Sequence, residues 1–257
     1  MKNVTYNDIT YDRLYYRDDK SLTKVSVIPE QIWKKFCDKK LQHVNNPTEY
    51  HNITKTDRKI YSIDNGYTLY EKKSIITLPY LNDYKTLYQT KFEDIYTTKD
   101  ILLLLKKNLE ILKNIHQKGI SHSDIQAHNI MINQNKDIEF IDFDSLIIDN
   151  YISDENVFLE DGDKLEEKIR KTKVMDKVDL FDLYFSYLAT GNFKNNGEFK
   201  ISDLQLKGIY RQAIYDFHND KNMSEDYYYF DFIDGLISEE YQAPVVYAKN
   251  LFNKYSK

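Results

Sequence analysis

The chain has 257 residues, 41% of them hydrophobic and 30% charged, with a formal net charge of -5. Such values fit a globular protein of one domain or two closely packed lobes. The interleaving of Lys with Asp and Glu, as in Lys164-Leu165-Glu166-Glu167-Lys168, argues against a nucleic-acid-binding stripe. A single cysteine, Cys37, excludes an internal disulfide and a cysteine-built zinc cage. The opening residues Met1 to Asp8 lack the apolar core of a signal peptide, and the longest purely aliphatic run, Ile101 to Leu105, is far too short to cross a bilayer. A cytoplasmic protein without a nucleic-acid or membrane partner is therefore expected.

Residues 4–28 alternate apolar and polar side chains, which predicts strands turning at Asp18-Asp19-Lys20. Pro29 and Glu30 open a helix with Ile32, Trp33, Phe36, Cys37 and Leu41 at helical spacing. A second helix is predicted from the Asn46-Pro47 cap through Tyr50, Ile53, Ile60 and Ile63 to a stop at Asn65-Gly66. Strands follow at 67–70 and 74–78, and Pro79-Tyr80-Leu81-Asn82-Asp83 marks a hinge between a strand-rich first lobe and a helical remainder.

From Thr98 a long helix places Ile101, Leu104, Leu105, Leu109, Leu112 and Ile115 along one side, with Gly119 just past its end. Ile130-Met131-Ile132 and Ile138-Glu139-Phe140-Ile141 form a hairpin with a polar tip. A polar stretch at 153–178 precedes helices predicted at 179–190, at 203–217 and after Pro244.

The chemistry concentrates between Ile120 and Ser145. Asp124 and Asn129 lie five apart in a loop leading into the hairpin, and Asp142 follows its second strand, which can bring all three to one end of it. Converging hard oxygens suit magnesium, which takes a few protein ligands beside phosphate oxygens. Taken singly, each is an ordinary turn or cap residue.

Together, His122-Ser123-Asp124-Ile125-Gln126-Ala127-His128-Asn129 and Asp142-Phe143-Asp144 resemble the catalytic loop and the D-F-G motif of the protein-kinase-like family. Asp124 and Asp142 keep that family's interval of eighteen residues, and Asp179 to Gly191 is similar to the buried helix following its activation segment. The resemblance implies an α+β, bilobal protein-kinase-like fold, with a small β-rich lobe at 1–81 and a mainly helical one at 82–257. It also implies ATP- and magnesium-dependent transfer of the γ-phosphate to a hydroxyl, foremost on a protein Ser or Thr.

In that frame Asp124 would orient or deprotonate the acceptor, Asn129 and Asp142 would hold magnesium, and His122 would be structural. Tyr6 to Ile28 resembles the phosphate-loop strands and the lysine strand. This puts Lys24 at the phosphate, Tyr11 at the loop tip and Glu49, or failing that Glu30, beside Lys24. Ile75 to Leu81 resembles the hinge, with backbone near Leu81 meeting adenine.

Four positions depart from the family. The loop at Asn7 to Asp12 lacks glycine, and Ser123 replaces an Arg that would read a phosphorylated activation segment. Gln126 is reminiscent of choline and aminoglycoside kinases, as is Asp144, which stands at the D-F-G glycine and should stiffen the turn. A small alcohol substrate, or a pseudokinase acting as a scaffold, are the alternatives. His128, Trp33 and Tyr227 to Phe230 read as packing residues.

Overall fold

The structure, a computed structural model, describes residues 19–52, 73–90, 98–154, 164–190 and 233–234. It also describes strand residues 4–6, 9–11, 16–17, 61–64 and 68–71. The helices predicted at 203–217 and after Pro244, and the Tyr227 to Phe230 cluster, lie outside them. Helices are mixed with small, mainly antiparallel sheets, an α+β arrangement. Two compact units are formed, one by Met1–Tyr88 with Asn114–Asp176, the other by Gln89–Lys113 with Lys177–Lys257. No helix among the described residues is long and apolar enough to cross a membrane.

In the first unit, β1 (Val4–Tyr6), β2 (Ile9–Tyr11), β6 (Tyr61–Asp64) and β7 (Thr68–Glu71) form one sheet, in that order. A second has the order β3 (Tyr16–Arg17), β4 (Ser21–Ser26), β8 (Ser74–Pro79), β5 (Glu49–Asn52). The predicted hairpin is present, with Tyr16 opposite Thr23 and Arg17 opposite Leu22. The first two strands and the lysine strand thus belong to different sheets. Tyr11 is not a loop tip, because it is paired in β2 with Val4 and Tyr61.

The helix expected over 46–64 is replaced by β5 and β6. Tyr50 and Ile53 have helical spacing, but residues 49–52 gain a ladder along the open edge of β8, with Tyr50 opposite Ile76. Pairing of this kind overrides a weak local preference.

β8 alternates as a half-buried strand should, with Ser74, Ile76 and Leu78 inside. Directly opposite residues share a face, so Leu22, Lys24 and Ser26, which pair with Leu78, Ile76 and Ser74, belong to the same buried face. Helix α1 (Glu30–Asp38) reaches this face through Trp33, whose indole N–H donates to Ser26 Oγ at 3.3 Å. Ile32, Trp33 and Phe36 are its buried residues, as their spacing predicts.

Two further sheets of the unit lie among the described residues. β11 (Ile130–Asn133) pairs with β12 (Ile138–Phe140) as the predicted hairpin and also with β9 (Tyr84–Thr86), an unpredicted strand too short to show a period. The outer edge of β12 is met by the segment after α1, where Phe140 N–H donates to His43 O and Asn45 N–H to Phe140 O, both at 3.0 Å. β10 (Ile120–Ser121), β13 (Ile147–Ile148) and β14 (Tyr151–Ile152) form the last sheet.

Helix α2 (Thr98–Gln117) buries Ile101, Leu104, Leu105, Leu109, Leu112 and Ile115, the stripe its sequence predicts. Gly119 follows with φ +78, its N–H bonded to His116 O and its carbonyl accepting from Asp149 N–H. An added Cβ would stand 3.3 Å from Asp149 Oδ1. Gly119→Ala is expected to cost about 1–2 kcal/mol of unfolding free energy, measured by urea denaturation.

Helix α3 (Leu165–Thr190) begins well before the predicted residue 179. The end of the polar stretch, where these first turns lie, is rich in Lys, Glu and Arg, all good helix formers. It carries Glu166 and Glu167 in its first turn, and Arg170 pairs with Glu167 at 2.7 Å. In the second unit Asn108 donates to Tyr184 Oη at 2.7 Å, and Lys106 pairs with Asp234 at 2.5 Å.

Candidate active site

Lys24 and Ser26, two residues apart on β4, share one face of the strand, and both are buried. Lys24 Nζ lies 2.5 Å from Asp142 Oδ1 and 3.0 Å from Asp144 Oδ2. Burial alone would lower the ammonium's pKa, but the two aspartates hold it above the ordinary lysine value.

Asp142 is separated from the end of β12 only by Ile141 and stands at φ 62 and ψ 66. An L-residue adopts this left-handed conformation at some cost, least for Asn and Asp. The turn that follows, Phe143–Ser145, buries Phe143 against His122 at 4.2 Å and Phe36 at 4.9 Å between ring centroids.

Asp124 and Asn129 are joined. Asn129 Nδ2 donates to Asp124 Oδ2 at 2.7 Å and to Asp124 O at 2.9 Å. Both partners are acceptors, so the amide nitrogen must face them, and Asn129 Oδ1 is left with no donor among the described residues. Asn129 O accepts from Ile141 N–H at 2.9 Å, which ties this loop to the residue preceding Asp142. Gln126 Nε2 also reaches Asp124 Oδ2, at 2.9 Å. Burial pushes the Asp124 carboxyl above its usual range, and the charge of Asp142 adds to this, against His122, Gln126 and Asn129, which favour the carboxylate.

His122 is fully buried and donates through Nε2 to Ile141 O at 2.9 Å. The loop start is fixed from below by Asp176 on α3, a residue the sequence reading passed over. Asp176 Oδ2 accepts from His116 Nε2, Ser121 Oγ and His122 N–H at 2.9, 2.7 and 2.9 Å, and Oδ1 from Ser123 N–H at 2.7 Å. Burial works to raise its pKa, but the bond from His116 and the further donors hold it below the ordinary aspartate value.

Comparison with known proteins finds no matching family model and no matching curated protein.

Two expected site residues lie elsewhere. Glu49 is not on a helix and is not the partner of Lys24. It is exposed on β5 opposite Thr77, which in turn faces Thr23, so it belongs to the sheet face opposite to that of Lys24. Glu30 opens α1 with its carboxylate accepting from Asn52 N–H at 3.0 Å. Leu81 follows β8, half-buried, its carbonyl accepting from Tyr84 N–H at 3.2 Å.

His128 stacks on Tyr88 at 4.2 Å, an exposed packing role. Ser26 and Asp144 carried no sequence signal as partners of Lys24. Asp144 stands 120 residues away in the chain and invites attention only as the residue replacing a glycine.

Among the described residues no cluster of three or more His, Cys, Asp or Glu could hold a metal ion. Asn129 Oδ1 and the half-exposed Asp142 carboxylate offer two hard oxygens, which fits magnesium, an ion that fills its remaining positions with phosphate and water.

Proposed function

We propose that the chain is an ATP- and magnesium-dependent phosphotransferase of bilobal protein-kinase-like fold, acting foremost on a protein Ser or Thr hydroxyl in a cytoplasmic setting. One observation carries this reading. Lys24 meets Asp142 across 118 residues of sequence, and Asp142 is tied through Ile141 to the Asp124–Asn129 pair. A cation, two metal-type oxygens and a carboxylate of raised pKa thus form one connected cluster, the set that phosphoryl transfer requires.

Lys24 would neutralise phosphate charge. Asp124, held on one oxygen by Gln126 and Asn129, keeps its other oxygen for the acceptor hydroxyl, which it would orient or deprotonate. Asn129 and Asp142 would hold magnesium, whose charge opposes that of the phosphate oxygens. Leu81 N–H, which donates to no backbone carbonyl among the described residues, suits a contact to the adenine edge. The protein acceptor is favoured by α3, whose residues from Asp179 onward are similar to the buried helix that follows the activation segment of protein kinases.

The test is calorimetric binding of ATP with and without magnesium, paired with transfer of labelled phosphate to the chain itself or to a generic protein. Wild type is expected to bind only with magnesium and to transfer, and Asp142→Asn to lose at least about tenfold in metal-dependent binding. Transfer confined to a small alcohol or an aminoglycoside would reassign the acceptor. Binding without any transfer would favour the scaffold.

A further inference from the structure

Lys24 has two carboxylate partners of different character. The Asp142 side chain is 41% exposed, that of Asp144 13%, and that of Lys24 itself 8%. A buried ammonium needs a counter-charge at all times, because leaving it unpaired costs several kcal/mol. Asp142 is the partner open to solvent and to ligands, so it is the one that can exchange Lys24 for another cation. The constant partner must then be Asp144.

The surroundings of Asp144 are built for that task. Its second oxygen, Oδ1, accepts from Ser26 Oγ at 2.6 Å, and Ser26 lies two residues from Lys24 on the same face of β4. One carboxylate therefore spans two neighbouring side chains of one strand. Ser26 is fixed in turn. Its single proton goes to Asp144, and its lone pairs accept from Ile28 N–H at 3.1 Å and Trp33 Nε1–H at 3.3 Å. The backbone of Asp144 is held as well, its carbonyl accepting from Ser153 Oγ. No acid from α1 competes for the lysine. The buried residues of that helix are Ile32, Trp33 and Phe36, Glu30 bonds Asn52 N–H, and Asp38 is exposed.

We propose that Asp144 is the positioning residue for Lys24, holding its ammonium in place for nucleotide phosphate while Asp142 turns to a metal ion. This rests on the phosphotransferase reading above. Asp144 itself touches neither phosphate nor acceptor. It acts through Lys24, and Ser26 acts through Asp144.

The experiment uses the full chain labelled with 15N-lysine, with the Lys24 ammonium signal assigned by Lys24→Arg, together with steady-state kinetics in MgATP. In wild type the Nζ protons are expected to exchange slowly enough to be observed. In Asp144→Asn they should be lost to exchange, with KM for MgATP raised about tenfold or more, the worth of a charge-assisted hydrogen bond, and kcat changed less. Asp144→Glu should restore part of both. Ser26→Ala leaves every charge in place, removes a bond to Asp144 and none to Lys24 itself, and should raise KM by about threefold, so the test stands even where Asp144→Asn folds poorly. An unchanged ammonium signal and KM in Asp144→Asn, or in Ser26→Ala where Asp144→Asn does not fold, would overturn the assignment and leave the phosphotransferase reading intact. A wild-type chain that binds no MgATP would overturn both.

Discussion

Asp124→Asn is expected to lower the rate of phosphate transfer by about 10²–10⁴-fold, the usual worth of a positioned acid or base, while leaving MgATP binding nearly unchanged. The substitution keeps shape and removes charge. Both side-chain bonds to Asp124, from Gln126 and from Asn129, go to the same oxygen, so an asparagine can retain them through its carbonyl oxygen. Its amide nitrogen then stands where the second carboxylate oxygen would face the acceptor hydroxyl, and a neutral amide cannot take that proton. Single-turnover transfer set against calorimetric binding separates the two effects. A variant that transfers at the wild-type rate would remove Asp124 from the chemistry.

Asp176→Ala is expected to destabilise the fold by about 3–5 kcal/mol, because it leaves a buried set of donors without their acceptor. Four donors converge on this carboxylate, two of them backbone N–H groups of the loop that carries Asp124. Asp176→Asn should cost less, about 1–3 kcal/mol, since one carbonyl oxygen remains while the new NH2 group faces a donor. Equilibrium urea unfolding measures both.

The pH dependence follows from the sign of the shift. The folded state holds this carboxyl below its unfolded value, so its contribution is fully present above the ordinary aspartate pKa and is lost as pH falls through that value toward the folded one. The gap in stability between wild type and Asp176→Ala should therefore narrow in that acidic window. Transfer should fall with it, since Ser121 to Ser123 lead directly into Asp124.

What could be read from the sequence depended on whether the controlling interaction was local. Helix α1, helix α2 and the β11–β12 hairpin announce themselves because each buries one regular side of a short segment, and burial leaves a period. β5 does not. Its four residues are mostly exposed, and only the ladder with β8 makes them a strand. The first turns of α3 were hidden for the opposite reason. Their charged residues register only as a polar stretch without an apolar period, yet Lys, Glu and Arg are good helix formers.

At the site, Asp124, Asn129 and Asp142 stood out because they lie within one short stretch of chain. The partner of Lys24 did not, because ion pairing selects whatever carboxylate the tertiary structure brings near. Sequence order pointed to Glu49, while strand parity puts that residue on the other side of the sheet.

The backbone bonds between His43, Asn45 and Phe140 have a mechanical meaning. They clamp the tail of helix α1 to the strand that delivers Asp142, two residues beyond Phe140, and Trp33 and Phe36 of that helix reach Ser26 and Phe143. Helix, strand end and lysine anchor are thus joined by contacts that any displacement of α1 would have to break together. A shift of α1 would therefore be felt at Asp142, although no side chain of that helix bonds to it among the described contacts.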